Sequence, residues 1–267
     1  MGHEEWSAAD WREGLGDPER AKKAKQHLQE GSQLPGPRAN LSLAERFADA
    51  FAKEQPDDGA WKRLIEWAQL PEAEAPVNDP REYLPFCAIQ ALGACYAGAK
   101  EERRREIEPL LKAAMNDPRW RMREGVAMAF QRIGEKDFGQ LKTWFGEWIG
   151  EANSLERRAF VAALAHPPLL KNRENALFCL KLTERILDDL AHGLPASNSE
   201  DARVLSKGLE YAISVFVEKA PEEGFALLRK FAVLDDKQLK KIIKSNLGKS
   251  RLTKKYADEV EAVGALL

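Results

Sequence analysis

The tetrapeptide Asn-Asp-Pro-Arg occurs twice, at residues 78–81 and 116–119, a spacing of 38 residues. Each copy sits between stretches whose apolar residues recur at helical intervals. A repeat of that length, helical on both sides, is the pattern of a stacked helical-pair architecture. One such unit cannot bury its apolar face alone, so it must stack on a neighbour. The 267 residues suffice for about five or six helix pairs. No stretch shows the alternation of a half-buried strand.

Composition narrows the class. Apolar residues make up 44% and charged residues 31%, which is the balance of a folded chain rather than a disordered one. No apolar run approaches the roughly 20 residues that span a bilayer, so no membrane partner is expected. The first residues are acidic and lack a charged-then-apolar leader. Three cysteines cannot all pair, and Cys87 and Cys95 share one helical pattern, which reads as buried thiols. A cytoplasmic location is the expectation. Charge is uneven: residues 1–80 hold 10 Lys/Arg against 16 Asp/Glu, whereas residues 229–255 hold 10 Lys/Arg against 2 Asp. The latter block is either a footprint for a polyanion or the solvated outer face of a terminal repeat.

Punctuation gives the organisation. Residues 1–29 read as one or two short helices, with Asp17-Pro18 as a helix start. The breaker-rich run 31–37 follows, so residues 1–38 are expected as an N-terminal segment and linker, and 39–267 as the repeat domain. Helices are expected at 41–53, 60–69, 82–97, 101–115, 119–133, 138–151, 153–165, 173–191, 199–219, 222–233, 236–247 and 252–265. In 119–133, Met122, Val126, Ala129, Phe130 and Ile133 form one apolar stripe. Trp144, Phe145, Trp148 and Ile149 read as core at helical spacing.

Pro109, Asp117, Met122 and Arg123 stand at the offsets of a HEAT repeat, and residues 78–170 resemble that family. Glu151 and Arg157 repeat the six-residue offset of Asp117 and Arg123, whereas Pro85 stands where the first unit would need its basic residue. The resemblance implies an all-α fold, a right-handed α-solenoid of HEAT-like helix pairs. It also implies a ladder in which Asp117 pairs with Arg123 or Arg157, with Glu151 in the next turn. A charged pair at a packed seam must be mutually satisfied, because desolvation is costly.

Chemistry is sparse. His3, His27, His166 and His192 are scattered, with no partner at metal-ligand spacing, so no metal or cofactor is expected. One constellation has a catalytic counterpart. Trp120, Glu124 and Arg158 are similar in type and spacing to the Trp, Asp and Arg of HEAT-type alkylpurine DNA glycosylases. The acid differs, Ser154 stands at the place of that family's second tryptophan, and residues 100–175 carry only 15 Lys/Arg against 12 Asp/Glu. The leading reading is a non-catalytic scaffold that lays a protein or peptide partner along a groove. The alternative is a duplex-DNA-binding or glycosylase-like protein. Arg121, Arg132, Arg158, Lys240, Lys244, Lys254 and Lys255 are the candidate contacts for either partner.

Overall fold

The computed structural model describes residues 6–194 and 199–267. His3 and the acidic first residues therefore lie outside the described part. The described residues contain helices and turns and no strand, as the periodicity requires. The chain divides into two compact units, Met1–Lys136 and Asp137–Leu267.

The first unit holds α1 (Ala8–Gly16), α2 (Pro18–Gly31), α3 (Leu41–Asp49), α4 (Asp58–Ala68), α5 (Tyr83–Cys95), α6 (Glu101–Met115) and α7 (Trp120–Lys136). Local chemistry sets the starts. Asp17 accepts from the Arg20 amide at 2.8 Å, with Pro18 at the first helical position of α2. Asp57 does the same for Ala60 at 2.7 Å. Residues 1–38, expected as a separate segment, supply α1 and α2, and these pack on α4 and α5 within the first unit.

α3, α5 and α7 lie side by side, the alternate-helix stacking of a helical-repeat protein. α5 is the centre, and all thirteen of its residues are buried. A helix that is apolar all round belongs in an interior. Its contact with α7 is made close by glycine. A Cβ added at Gly93 would lie 2.6 Å from the Ala129 Cα, and one at Gly125 would lie 3.0 Å from Phe86 and Ile89. Gly93→Ala is therefore expected to destabilise the chain. Forced separation of a packed seam costs about 1–3 kcal/mol, which exceeds the roughly 1 kcal/mol that alanine gains over glycine inside a helix. Urea unfolding measures this, and a gain in stability would contradict the close approach.

The second unit holds α8 (Phe138–Trp148), α9 (Ser154–Leu164), α10 (Arg173–Ala191), α11 (Ser199–Lys219), α12 (Pro221–Ala232), α13 (Lys237–Leu247), α14 (Ser250–Thr253) and α15 (Ala257–Gly264). α9, α11 and α13 form one layer, with α10 and α12 packed behind α11. Asn153 and Glu156 close a reciprocal capping box at the start of α9. Of the four residues expected as core, Trp144 and Phe145 are buried while Trp148 and Ile149, at the end of α8, are only half-buried, and Phe145 stacks on Phe160 at 4.4 Å. The expected single helix 252–265 is two pieces. The chain breaks at Tyr256, whose ring is drawn onto Phe225 at 5.6 Å. Among the described residues no helix is long and apolar enough to cross a membrane.

Candidate functional site

The two Asn-Asp-Pro-Arg turns fold alike. Asp79 accepts from the Arg81 amide and Nε at 2.8 Å each and from Nη2 at 3.0 Å. Asp117 accepts from the Arg119 amide and Nε at 2.8 Å each and from Nη2 at 2.6 Å. Such a planar two-point fork is the strongest geometry open to an arginine and a carboxylate. The hydrogen bonds from Arg81 hold the Asp79 carboxyl at about 2, so this fork stays charged through the ordinary pH range. The second fork is sealed, and Arg119 also donates to the Ala75 carbonyl at 3.2 Å.

This corrects the expected ladder. The Asp117 carboxylate belongs to Arg119, two residues on. Arg123 instead donates to the backbone carbonyls of Asp117 at 2.6 Å and Pro118 at 2.9 Å. Arg157 donates to the Ala152 carbonyl at 2.8 Å and pairs with Asp189 at 2.8 Å, while Glu151 is exposed. The arginines do cap turns, but their acidic partners come from elsewhere.

Two candidate contacts on α7 are spent inside the first unit. Arg121, read as facing outward, is only 3% exposed and pairs with fully buried Glu82 at 2.9 Å. The reason is Gly125, one turn later on the same flank, which lets α5 approach and draws Arg121 into the seam. Arg132 pairs with Asp49 of α3 at 2.5 Å, crossing over α5. These two links tie α7 to Glu82, just before α5, and to α3. Trp120 is 44% exposed with the Arg121 guanidinium 4.4 Å from its ring centre, and Glu124 is half-buried on α7. Arg158 belongs to the second unit, where its stem lies over Gly208.

The second unit presents a different face. On α11, Glu210 takes hydrogen bonds or ion pairs from Lys207 at 3.2 Å and from Lys241 of α13 at 3.1 Å. Burial pushes the Glu210 carboxyl up, but the hydrogen bonds from Lys241 and Lys207 outweigh this and hold it below the usual carboxylate range. One carboxylate thus serves two ammonium groups, and a positive charge is left over. Beside it, Tyr211 is 49% exposed. The Arg251 guanidinium lies 5.0 Å from its ring centre and donates to its hydroxyl at 3.2 Å. Together, Arg158 on α9, Lys207 and Tyr211 on α11, and Lys241 on α13 spread cations around one open aromatic ring across the α9–α11–α13 layer.

The expected lysines divide. Lys255 is paired with Glu218. Lys240 stands 4.0 Å from Asp235. Lys244 and Lys254 have no ion-pair partner among the described residues. Lys240, Lys241 and Lys244 rim a cleft of about 710 Å³ floored by Leu247, Val260 and Leu267. Sequence reasoning missed Lys207 and Tyr211, although their four-residue spacing on α11 is the readable signal.

No group of three metal-ligating side chains converges among the described residues. Cys87, Cys95 and Cys179 are buried free thiols, and burial pushes all three up, Cys95 to about 12. None is therefore activated as a nucleophile.

No protein-family model and no curated protein sequence matches this chain. Solved structures with an overall likeness include engineered proteins. One engineered protein is 15% identical, with a TM-score of 0.38, over 96% of this chain and 97% of its own. A computationally designed armadillo repeat protein for modular peptide recognition is 15% identical, with a TM-score of 0.35, over 90% and 96%. A designed armadillo repeat protein in complex with the peptide (KR)4 is 14% identical, with a TM-score of 0.37, over 91% and 98%. These likenesses are too distant to carry an argument, and the architecture rests on the helix stacking described above.

Proposed function

We propose that this chain is a non-catalytic binding protein whose second unit takes an acidic protein segment across the α9–α11–α13 layer. The supporting observation is the sharing of Glu210 between Lys207 and Lys241 beside exposed Tyr211. Excess cations steer an acidic partner and speed its encounter. An open tyrosine ring supplies a large contact at low entropic cost, the usual make-up of a binding hot spot. Duplex DNA is the second reading, because residues 229–255 carry a surplus of cations that phosphates would also satisfy.

Fluorescence polarisation separates the two. A labelled acidic peptide and a duplex are titrated over a salt series, with Tyr211→Ala and Lys241→Glu as variants. The expected result is saturable peptide binding that each substitution weakens about tenfold or more. Duplex binding with a steep salt slope, unchanged by Tyr211→Ala, would transfer the face to DNA. Absence of both would remove the proposed role of this layer.

A further inference from the structure

Two residues other than glycine adopt left-handed backbone, Gln33 at φ 63° and Asn78 at φ 64°, and both lie beside the loop Pro35-Gly36-Pro37 of the first unit. Such conformations persist where surrounding structure over-determines them, and they gather at ligand sites. Here the bonds are explicit. The Asn78 amide donates to Glu82 at 2.7 Å. The Asn78 Oδ1 accepts from the Gly36 amide at 2.9 Å and from Arg121 Nη2 at 3.3 Å. Arg121 Nη2 also donates to the Gly36 carbonyl at 2.6 Å. The loop is thereby fastened to the start of α7. An open cleft of about 550 Å³ results, lined by Pro35, Gly36, Pro37, Asn78, Trp120 and Arg121.

The groups left over define the ligand. Asn78 Oδ1 already accepts two hydrogen bonds and the Gly36 carbonyl one. The Asn78 Nδ2 and the Trp120 Nε1 are donors that make no hydrogen bond to the described residues. The apolar walls are two exposed pyrrolidine rings and an exposed indole. One face of that indole already carries a guanidinium, which lowers its attraction for a second cation. A cationic ligand is disfavoured on that ground. The complement is a ligand with an apolar surface and outward carbonyls that need donors. A left-handed polyproline helix has that form, since its backbone makes no internal hydrogen bonds and its carbonyls point outward. Recognition by an aromatic-lined groove with few placed polar groups is the known physical mode for such segments.

We infer that this cleft binds an extended, proline-containing peptide segment. Trp120 Nε1 and Asn78 Nδ2 donate to two of its backbone carbonyls, and its proline rings pack against the indole and Pro37. The site is separate from the basic layer of the second unit and uses no net charge.

The test titrates the full chain with blocked octaproline and follows the indole N–H resonances. The Trp120 signal is the one of seven that Trp120→Phe removes. The expected result is a saturable shift of that signal at millimolar peptide, insensitive to salt. Trp120→Phe keeps an aromatic wall but loses the donor. Asn78→Asp keeps the acceptor and tolerates left-handed backbone, but also loses its donor. Affinities of the two variants, read by calorimetry, should each fall by about tenfold, with the thermal midpoint of Trp120→Phe unchanged. No shift with octaproline, an equal shift with a blocked alanine-serine peptide, or unaltered affinity in both variants would overturn the inference. A larger shift with a mononucleotide would do so as well. Because octaproline carries no side-chain charge, failure here leaves the acidic-segment reading standing, and the converse also holds.

Discussion

Arg121→Ala is expected to lower the stability of the first unit by about 3–5 kcal/mol, the usual cost of removing one partner from a buried ion pair. The partner left behind is Glu82, which has no exposed surface. Its Oε1 already lacks a hydrogen bond, so the loss of Arg121 would leave only the Asn78 amide on this carboxylate. The Gly36 carbonyl would lose its donor at the same time. In thermal unfolding the midpoint should fall on the order of 10 °C. Replacing both members, Glu82→Leu with Arg121→Met, should recover part of the loss, since an apolar pair of similar volume is often as stable as a buried ion pair, while the Gly36 carbonyl and the Asn78 amide still lose these partners. A double-mutant cycle reads the coupling directly. Additive losses, with no recovery in the double variant, would mean that the two side chains act independently.

The second expected effect separates two arginines that look equivalent in sequence. Arg157→Ala should cost about 2–4 kcal/mol, and Arg123→Ala about 1 kcal/mol or less. Arg157 is 3% exposed and serves the Ala152 and Ile149 carbonyls and Asp189 together. Truncation strips buried acceptors of their donor and opens a cavity. Asp189 keeps Arg185 at 3.1 Å, which limits the loss. Arg123 is half-buried and caps two carbonyls at the edge of a turn. Urea unfolding of both variants decides the order. Equal losses would restore a ladder in which both arginines do the same job.

Much of the fold was legible for a simple reason. Helical periodicity and caps are local signals, so helices at 101–115, 173–191 and 199–219 match the observed elements to the residue. The buried stripe of α7 was legible too, because Met122, Val126, Ala129, Phe130 and Ile133 all face inward. What failed were pairings. Asp117 and Arg123 stood at the family offsets, yet an arginine two residues away reaches the carboxylate with less chain to order. The strong signal was the repeated tetrapeptide itself, which encodes its own fork. Arg121 misled for a different reason. A polar side chain next to an apolar stripe normally marks the solvent side, and only the absence of a side chain at Gly125 reverses that. The contribution of Tyr211 depends on what stands over it from α14, 40 residues later, and no local pattern reports that distance.

The strap from Arg132 to Asp49 has a consequence for how this chain could change over time. Open repeat arrays lengthen by duplicating a unit, because each unit touches only its neighbours. Here the link joins α3 to α7 and passes over one helix, α5. Copying the 38-residue period inside this unit would place two helices beneath the same link, and an arginine and an aspartate cannot reach across both. The strap therefore works as a gauge that admits a single intervening helix. Insertions and deletions in the connecting turns of this unit should leave the link intact, whereas a second helix in the layer between α3 and α7 would break it, at the cost of about 0–1 kcal/mol for a half-exposed ion pair.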